Sequence, residues 1–387
     1  MKSLAVCALI LAVAKPLSSL AATPETTKAQ LVSVKMDDET AKAWLSHWEK
    51  DITGEARNRY CDKAMGEDLG WLMSHVMKGF YYGYLATRDP KWIDLSVDWT
   101  DAWGKRAVTE PDGFPGWPRT GAAGTAVDDL DSFNADSLLG EAMALKWIVL
   151  SAGEILKNPE LEKKYGTKAR DYLVLSERIY QKWDSRGAWR ETKDGGMISI
   201  VLPFGIDAKT GQWTEGFVKR NEPGNGFSHP DNKANMVASW LLSMADVTQK
   251  AVYKERAERW FKLMKSRMTA QDDGTYKIWN YWEPAGPWDH KQNGSTKHWV
   301  GVHPNAGYYV IDTDGIVEAY EHGLVFTKED VGRLVATAHA TNREWPGIAP
   351  YDAETQKKIE SGMKLGSWGA VTEVPWYLAL RREAAEK

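Results

Sequence analysis

The chain reads as an all-α protein, an (α/α) toroid or barrel of about five to seven helical hairpins, and three observations predict it. Apolar residues recur at helical spacing through most of the sequence, the helices come in pairs joined by short turns, and long Gly- and aromatic-rich links separate one pair from the next. A plain helical bundle is the structural alternative.

An N-terminal helix is expected around Thr40 to Glu49. The first full pair runs from Glu67 to Leu85, turns at Arg88, Asp89 and Pro90, and continues through Trp92, Ile93, Val97 and Trp99. The unit returns from Asp136 to Ala152 with Tyr172 to Trp183, from Ala234 to Val247 with Tyr253 to Met264, and from Asp312 to His322 with Lys328 to Ala340. A closing helix spans Thr372 to Ala385. Hairpins stacked side by side form a ring whose long links all emerge at one end, which is where an active site belongs. The stretch 187–217 breaks the helical pattern: Met197, Ile198, Ile200 and Leu202 suggest a small β-hairpin inserted as a wall or lid of that open end.

Lys2, the apolar run from Leu4 to Ala14 and the small residues Ser18 to Ala22 have the layout of a cleavable leader, so 1–22 is read as a signal peptide and 23–387 as one catalytic domain. That placement is secreted or periplasmic. No membrane span is expected elsewhere. With Cys7 in the leader, Cys61 stands alone and no intramolecular disulfide is expected. A formal net charge of -4 without a basic block argues against nucleic acid as a partner. The 20 Trp against 8 Phe are unusual, and an excess of flat, amphipathic rings suits a groove that holds glycans, although most single Trp are expected between helices.

Four long links carry the candidate chemistry. Gly113 to Thr120 offers Trp117 and Arg119, the latter suited to gripping a carboxylate, and leads to Asn134. Asn221 to Pro230 sets His229 just before a helix that begins near Asp231, Asn232, Lys233 and Asn235. The links around Trp279 to Pro284 and Lys297 to Tyr309 present Tyr281, His298, His303, Tyr308 and Tyr309, the densest set of proton-transfer candidates. No serine-centred elbow, phosphate loop, dinucleotide fingerprint or metal-ligand pair at helical spacing stands out, so neither a metal nor a cofactor is expected. What remains is His, Tyr, Asn and Arg chemistry, which suits β-elimination on a 4-linked uronate.

The helix-pair layout, Asn134-Ala-Asp136, the Asn232-Lys-Ala-Asn235 turn and the run His303-Pro-Asn-Ala-Gly-Tyr308-Tyr309 resemble the α/α-toroid polysaccharide lyases, specifically the alginate and glucuronan lyases of polysaccharide lyase family 38. The resemblance implies an acidic polysaccharide as substrate. It implies a Tyr that protonates the leaving oxygen, here Tyr308 or Tyr309, a His base, here His229, and an Asn that neutralises the carboxylate, here Asn134. His303 stands where an Arg is expected, and Arg119 is a substitute for that cation. Trp117, Arg119, Asn235, Tyr281 and Tyr309 are the expected substrate contacts.

Two other functions fit the same composition. A glycoside hydrolase needs two facing carboxylates, for which Asp129, Asp131, Glu283 and Glu373 are available, Glu283 being the better acid. A non-catalytic glycan-binding protein needs stacking faces but gives no reason to gather His and Tyr at one mouth. A uronate epimerase begins with the same C5 proton removal.

Overall fold

The computed structural model describes residues 38–120, 133–203, 205–207, 209–362 and 370–386. Its helices are α1 (Glu39–Ala56), α2 (Ser74–Thr87, preceded by a π turn at Leu69–Met73), α3 (Lys91–Gly104), α4 (Leu138–Lys157), α5 (Pro159–Ser185), the single turn α6 (Glu215–Val218), α7 (Asp231–Thr248), α8 (Ala251–Ser266), α9 (Gly307–Glu321), α10 (Lys328–Thr341), α11 (Ala353–Gly362) and α12 (Ala370–Glu386). Short strands lie only in the long links: β1 (Val108–Thr109), β2 (Pro115–Gly116), β3 (Arg119–Thr120), β4 (Phe133–Ala135), β5 (Trp189–Glu191), β6 (Met197–Val201), β7 (Ile206–Asp207), β8 (Phe227–Ser228), β9 (Thr269–Ala270) and β10 (Tyr276–Lys277).

The turns inside the hairpins are short because their residues stop one helix and start the next at once. Arg88 and Gln249 end α2 and α7 in the left-handed region, each at φ 59°. Asn158 closes α4 and also caps α5, its Oδ1 accepting from the N–H of Glu160 at 3.0 Å and Leu161 at 3.2 Å, with Pro159 at the first helical position. Thr327 and Asp330 cap α10 reciprocally.

Packing orders the helices into two layers. Helix α12 lies against α2, α2 against α4, α4 against α7 and α7 against α9, which makes an inner series. The flanking helices α1, α3, α5, α8 and α10 each back one of these from outside, and a 3-10 turn at Pro346–Tyr351 packs on α9, α10 and α11. The fold is the α/α toroid that the hairpin periodicity predicts. Its hydrophobic core fills the space between the layers, with Trp48, Trp99, Trp103, Trp240 and Trp345 fully buried there. The Trp excess is therefore mainly packing, and among the described residues Trp299 is the exposed indole.

The inner helices turn a polar stripe towards the ring axis. Along the π turn and α2 the half-buried residues Trp71, His75, Lys78 and Tyr82 follow one another at helical spacing. Lys146 of α4 binds Glu318 of α9 at 3.0 Å and the Ser239 hydroxyl of α7, an ion pair that ties three inner helices together. None of the described helices is long and apolar enough to cross a membrane.

The β insertion differs from a lid. Strand β6 pairs antiparallel with β5 and with β8, all five of its residues are buried, and it packs on α7 and α8. The run Met197-Ile-Ser-Ile-Val201, apolar but for Ser199, has no charged face to offer to solvent, so it becomes an inner wall. The leader region and the acids Asp129 and Asp131 lie outside the described residues.

Candidate functional site

Short links within the hairpins and long links between them put the described residues 57–73, 105–120, 133–137, 186–203, 205–207, 209–230 and 267–306 at the end of the ring where the inner helices begin. Buried side chains fasten these loops. Asp289 accepts from the N–H and hydroxyl of Ser228 at 2.6 and 2.7 Å and from the N–H of Ala285 at 2.7 Å, while Trp282 and Trp288 donate to the Ser228 carbonyl and hydroxyl. Under the 105–118 loop, Lys182 reaches Asp136 at 2.7 Å and Glu141 at 2.6 Å, and Arg186 reaches Glu110 and Asp112, both at 2.8 Å. These scaffolds hold the mouth in shape.

One side of the mouth is a nest of rings. Tyr308, half-buried at the start of α9, stacks on Tyr281 with centroids 5.1 Å apart and planes at 25°. His303 lies 4.6 Å from Tyr308 and 4.9 Å from Tyr281, and His298 packs 5.8 Å from Tyr281. The His303 Nδ1 accepts from the N–H of Asn305 at 3.0 Å, so in the neutral ring the proton sits on Nε2. Burial, with Tyr308 and then Glu67, Asp312 and Asp231 adding to it, pushes the Tyr281 phenol up and keeps it protonated.

The other side carries charge. Glu67 accepts from Lys233 at 2.7 Å and from the Trp71 indole at 2.8 Å, and its neighbour Asp68 pairs with Arg119. Consecutive acids thus gather two cations, one from a link and one from the first turn of α7. The segment is fixed because the Gly66 N–H donates to the Trp117 carbonyl at 2.7 Å and α4 approaches closely at Gly140, where a Cβ would lie 2.2 Å from the Gly66 oxygen. Asn232, beside Lys233, is buried with neither amide atom hydrogen-bonded among the described residues. His75 is brought down to about 4 by burial and the Lys78 charge.

His229 joins these two sides. The inserted hairpin positions it, since Ser199 of β6 accepts its backbone N–H at 3.0 Å and contacts its Nδ1 at 3.0 Å through the hydroxyl. Burial and the Lys233 charge bring its pKa down to about 3, so the imidazole is neutral at ordinary pH with Nε2 unbonded among the described residues. Asn134 sits on β4 between β3 and β7, half-buried.

Three expected substrate contacts are instead part of the packing. Trp117 is fully buried, stacked 3.9 Å from Trp103 with its indole N–H on the Trp103 carbonyl. Tyr309 is fully buried, its hydroxyl accepting from the His303 N–H at 2.8 Å and donating to the Trp279 carbonyl at 3.2 Å; it holds the loop that carries His303. Asn235 spends its amide on Asp312 and the Trp260 indole, both at 2.7 Å. Helical geometry explains Tyr309, since neighbours on a helix point about 100° apart and Tyr308 takes the direction of the mouth. Sequence reasoning gave no chemical role to Glu67, Lys233 and His75, whose only signal is their place at or just before the first turns of inner helices.

Carboxylates other than Glu67 are less available. Asp312 accepts from Asn235 and from the Trp279 indole at 2.9 Å, and burial with the nearby Asp231 charge raises it to about 8. Asp231, paired with Arg267, is raised by burial to about 6. Glu283 accepts from Asn280 at 2.6 Å. Among the described residues no group of three His, Cys, Asp or Glu is placed to hold a metal ion.

The fold and this mouth define a toroid with a ring-lined, two-sided polar cleft. No protein-family model matches the sequence, and no curated protein matches it. Among solved structures it is similar to an inactive variant of an alpha-1,6-mannanase of Salegentibacter sp. HEL1_6 in complex with alpha-1,6-mannotriose, at 9% identity and a TM-score of 0.47 over 89% of this chain and 100% of that one. It is also similar to the unsaturated glucuronyl hydrolase of Bacillus sp. GL1, at 15% identity and a TM-score of 0.45 over 90% of this chain and 82% of that one. Both likenesses are too distant to transfer a residue or a substrate.

Proposed function

We propose that the chain is a polysaccharide lyase that cleaves a 4-linked, uronate-containing glycan of the alginate or glucuronan type by β-elimination. The observation that carries the reading is the half-buried Tyr308 phenol, packed against both the Tyr281 and His303 rings at the mouth, on the same end of the ring as the cations Lys233 and Arg119. An elimination needs these three things: a proton-transfer group, a base, and charge for the C6 carboxylate.

In the proposed reaction the C5–H bond breaks, its electron pair forms the C4=C5 double bond, and the C4–O4 bond breaks towards O4. Tyr308 gives its proton to O4. His229, neutral at working pH, receives the C5 proton where the epimer presents it on that side. Asn134, with Lys233 and Arg119, neutralises the carboxylate and so lowers the cost of charge at C5. The acids Glu67 and Asp68 hold the two cations in place until substrate arrives.

The test is ultraviolet absorbance during incubation with polymannuronate, polyguluronate, glucuronan and pectate. The expected outcome is a rise with at least one of them, because elimination makes a conjugated double bond and hydrolysis does not. New reducing ends without absorbance would move the reading to a hydrolase acting through Glu67 or Glu283. Neither signal on any polymer would leave a glycan-binding protein.

A further inference from the structure

Trp299 is half exposed, with a relative accessibility of 50%, and the flanking Val300 and Val302 are exposed as well. An indole costs free energy in water, and the other indoles among the described residues are buried or half-buried, so the exposed apolar run at the mouth points to a ligand. It stands beside the ring nest, its ring 6.1 Å from that of His303 and nearly perpendicular to it at 77°. Its orientation is also fixed. The indole folds back over Gly301, where a Cβ would lie 2.5 Å from Cζ2, and the Gly301 carbonyl accepts the Tyr281 N–H at 2.8 Å. The exposed face is thereby locked to the residue on which Tyr308 stacks.

We propose that Trp299 is the stacking platform of a subsite that binds a pyranose ring of the polymer next to the one at the bond cleaved, a reading that rests on the glycan-cleaving function above. A flat apolar face of fixed orientation matches the C–H face of a sugar ring, and its distance from Tyr308, one imidazole away, places the occupant outside the reacting unit. Binding there adds length-dependent affinity and leaves proton transfer to the nest.

The experiment measures retardation of the full-length protein in native gels cast with each polyuronate, alongside KM and kcat by absorbance. Trp299→Ala should weaken retardation and raise KM by about three- to tenfold, as one stacking contact does, with kcat nearly unchanged. Trp299→Phe should recover part of the loss, and Gly301→Ala, by tilting the indole, should reproduce it. The effect should vanish on oligomers too short to span both rings. Unchanged retardation and KM in Trp299→Ala would overturn the platform, as would an equal loss on short and long substrates. Retardation that depends on Trp299 without any absorbance change would keep the platform and remove the lyase.

Discussion

Two clusters of titratable residues lie against the long links of this chain, and they have opposite designs. Beneath the 105–118 loop, Glu110, Asp136, Glu141, Lys182 and Arg186 are fully buried and spend themselves on one another. At the mouth, Tyr281, His303 and Tyr308 touch ring to ring and leave the Tyr308 hydroxyl and the His303 Nε2 without a protein partner among the described residues. The first arrangement fixes geometry, because every charge taken from water is repaid by a partner of opposite sign. The second keeps groups able to exchange protons in reach of solvent and a ligand. Number of titratable groups does not mark the site; unspent hydrogen-bonding capacity does.

The largest expected effect separates the two at once. Tyr308→Phe removes only the phenolic proton and should lower kcat by about 10² to 10⁴ with KM and stability unchanged, measured by absorbance kinetics and urea denaturation on the same preparation. Near-normal turnover would shift the role to Tyr281. Lys182→Met does the reverse: it strands three buried carboxyls and should cost about 3–5 kcal/mol of stability, while protein that stays folded at low temperature keeps its KM. A stable variant with impaired turnover would blur the division between scaffold and site.

His229→Ala falls between these extremes. If the imidazole serves one uronate epimer and Tyr308 the other, the loss should differ about tenfold or more between polymannuronate and polyguluronate. Equal losses would show a positioning role through the inserted hairpin. Because burial holds His229 neutral down to about pH 3, the acid limb of the rate profile should not sit near the ordinary histidine value, and a limb at that value would argue against His229 as the base.

The periodicity made the toroid legible because helix pairs and their short turns are local features: Asn158-Pro159 or Thr327 with Asp330 can be read without knowing the fold. The mouth was legible as a set of links, and His229, His303, Tyr281 and Tyr308 do lie there. What pattern could not resolve was which neighbour faces inward. Tyr308 and Tyr309 are adjacent in sequence, yet one is half-buried at the mouth and the other is locked under the 303 loop. Trp117 has the composition of a sugar platform and the surroundings of a core residue, whereas Trp299, unremarked in its run, has the reverse. Long-range pairs such as Glu67 with Lys233, 166 residues apart, leave no local trace.

The smallest expected effect tests the scaffold alone, through pH. Burial, with the charge of Asp136 beside it, holds the Glu110 carboxyl well above the ordinary carboxylate range, whereas Asp136, next to Lys182 and Arg186, is held below it. The folded chain therefore keeps a proton on Glu110 that the unfolded chain releases, so this group's contribution is fully present below the unfolded value and is lost as pH rises through the folded one. Asp136 acts oppositely, but only in acid, because its contribution is present above the unfolded value. Between about pH 5 and 9 the Glu110 contribution should make stability fall with pH, in the same direction as the raised Glu141, Asp231 and Asp312, and Glu110→Gln, which carries a permanent hydrogen in place of the titrating one, should lessen the slope. The gain at the alkaline end should be on the order of 1 kcal/mol, read from urea midpoints across the range. An unchanged slope would mean that Glu110 is ionised in the fold, and that Lys182 and Arg186 together hold all three carboxylates of the cluster charged.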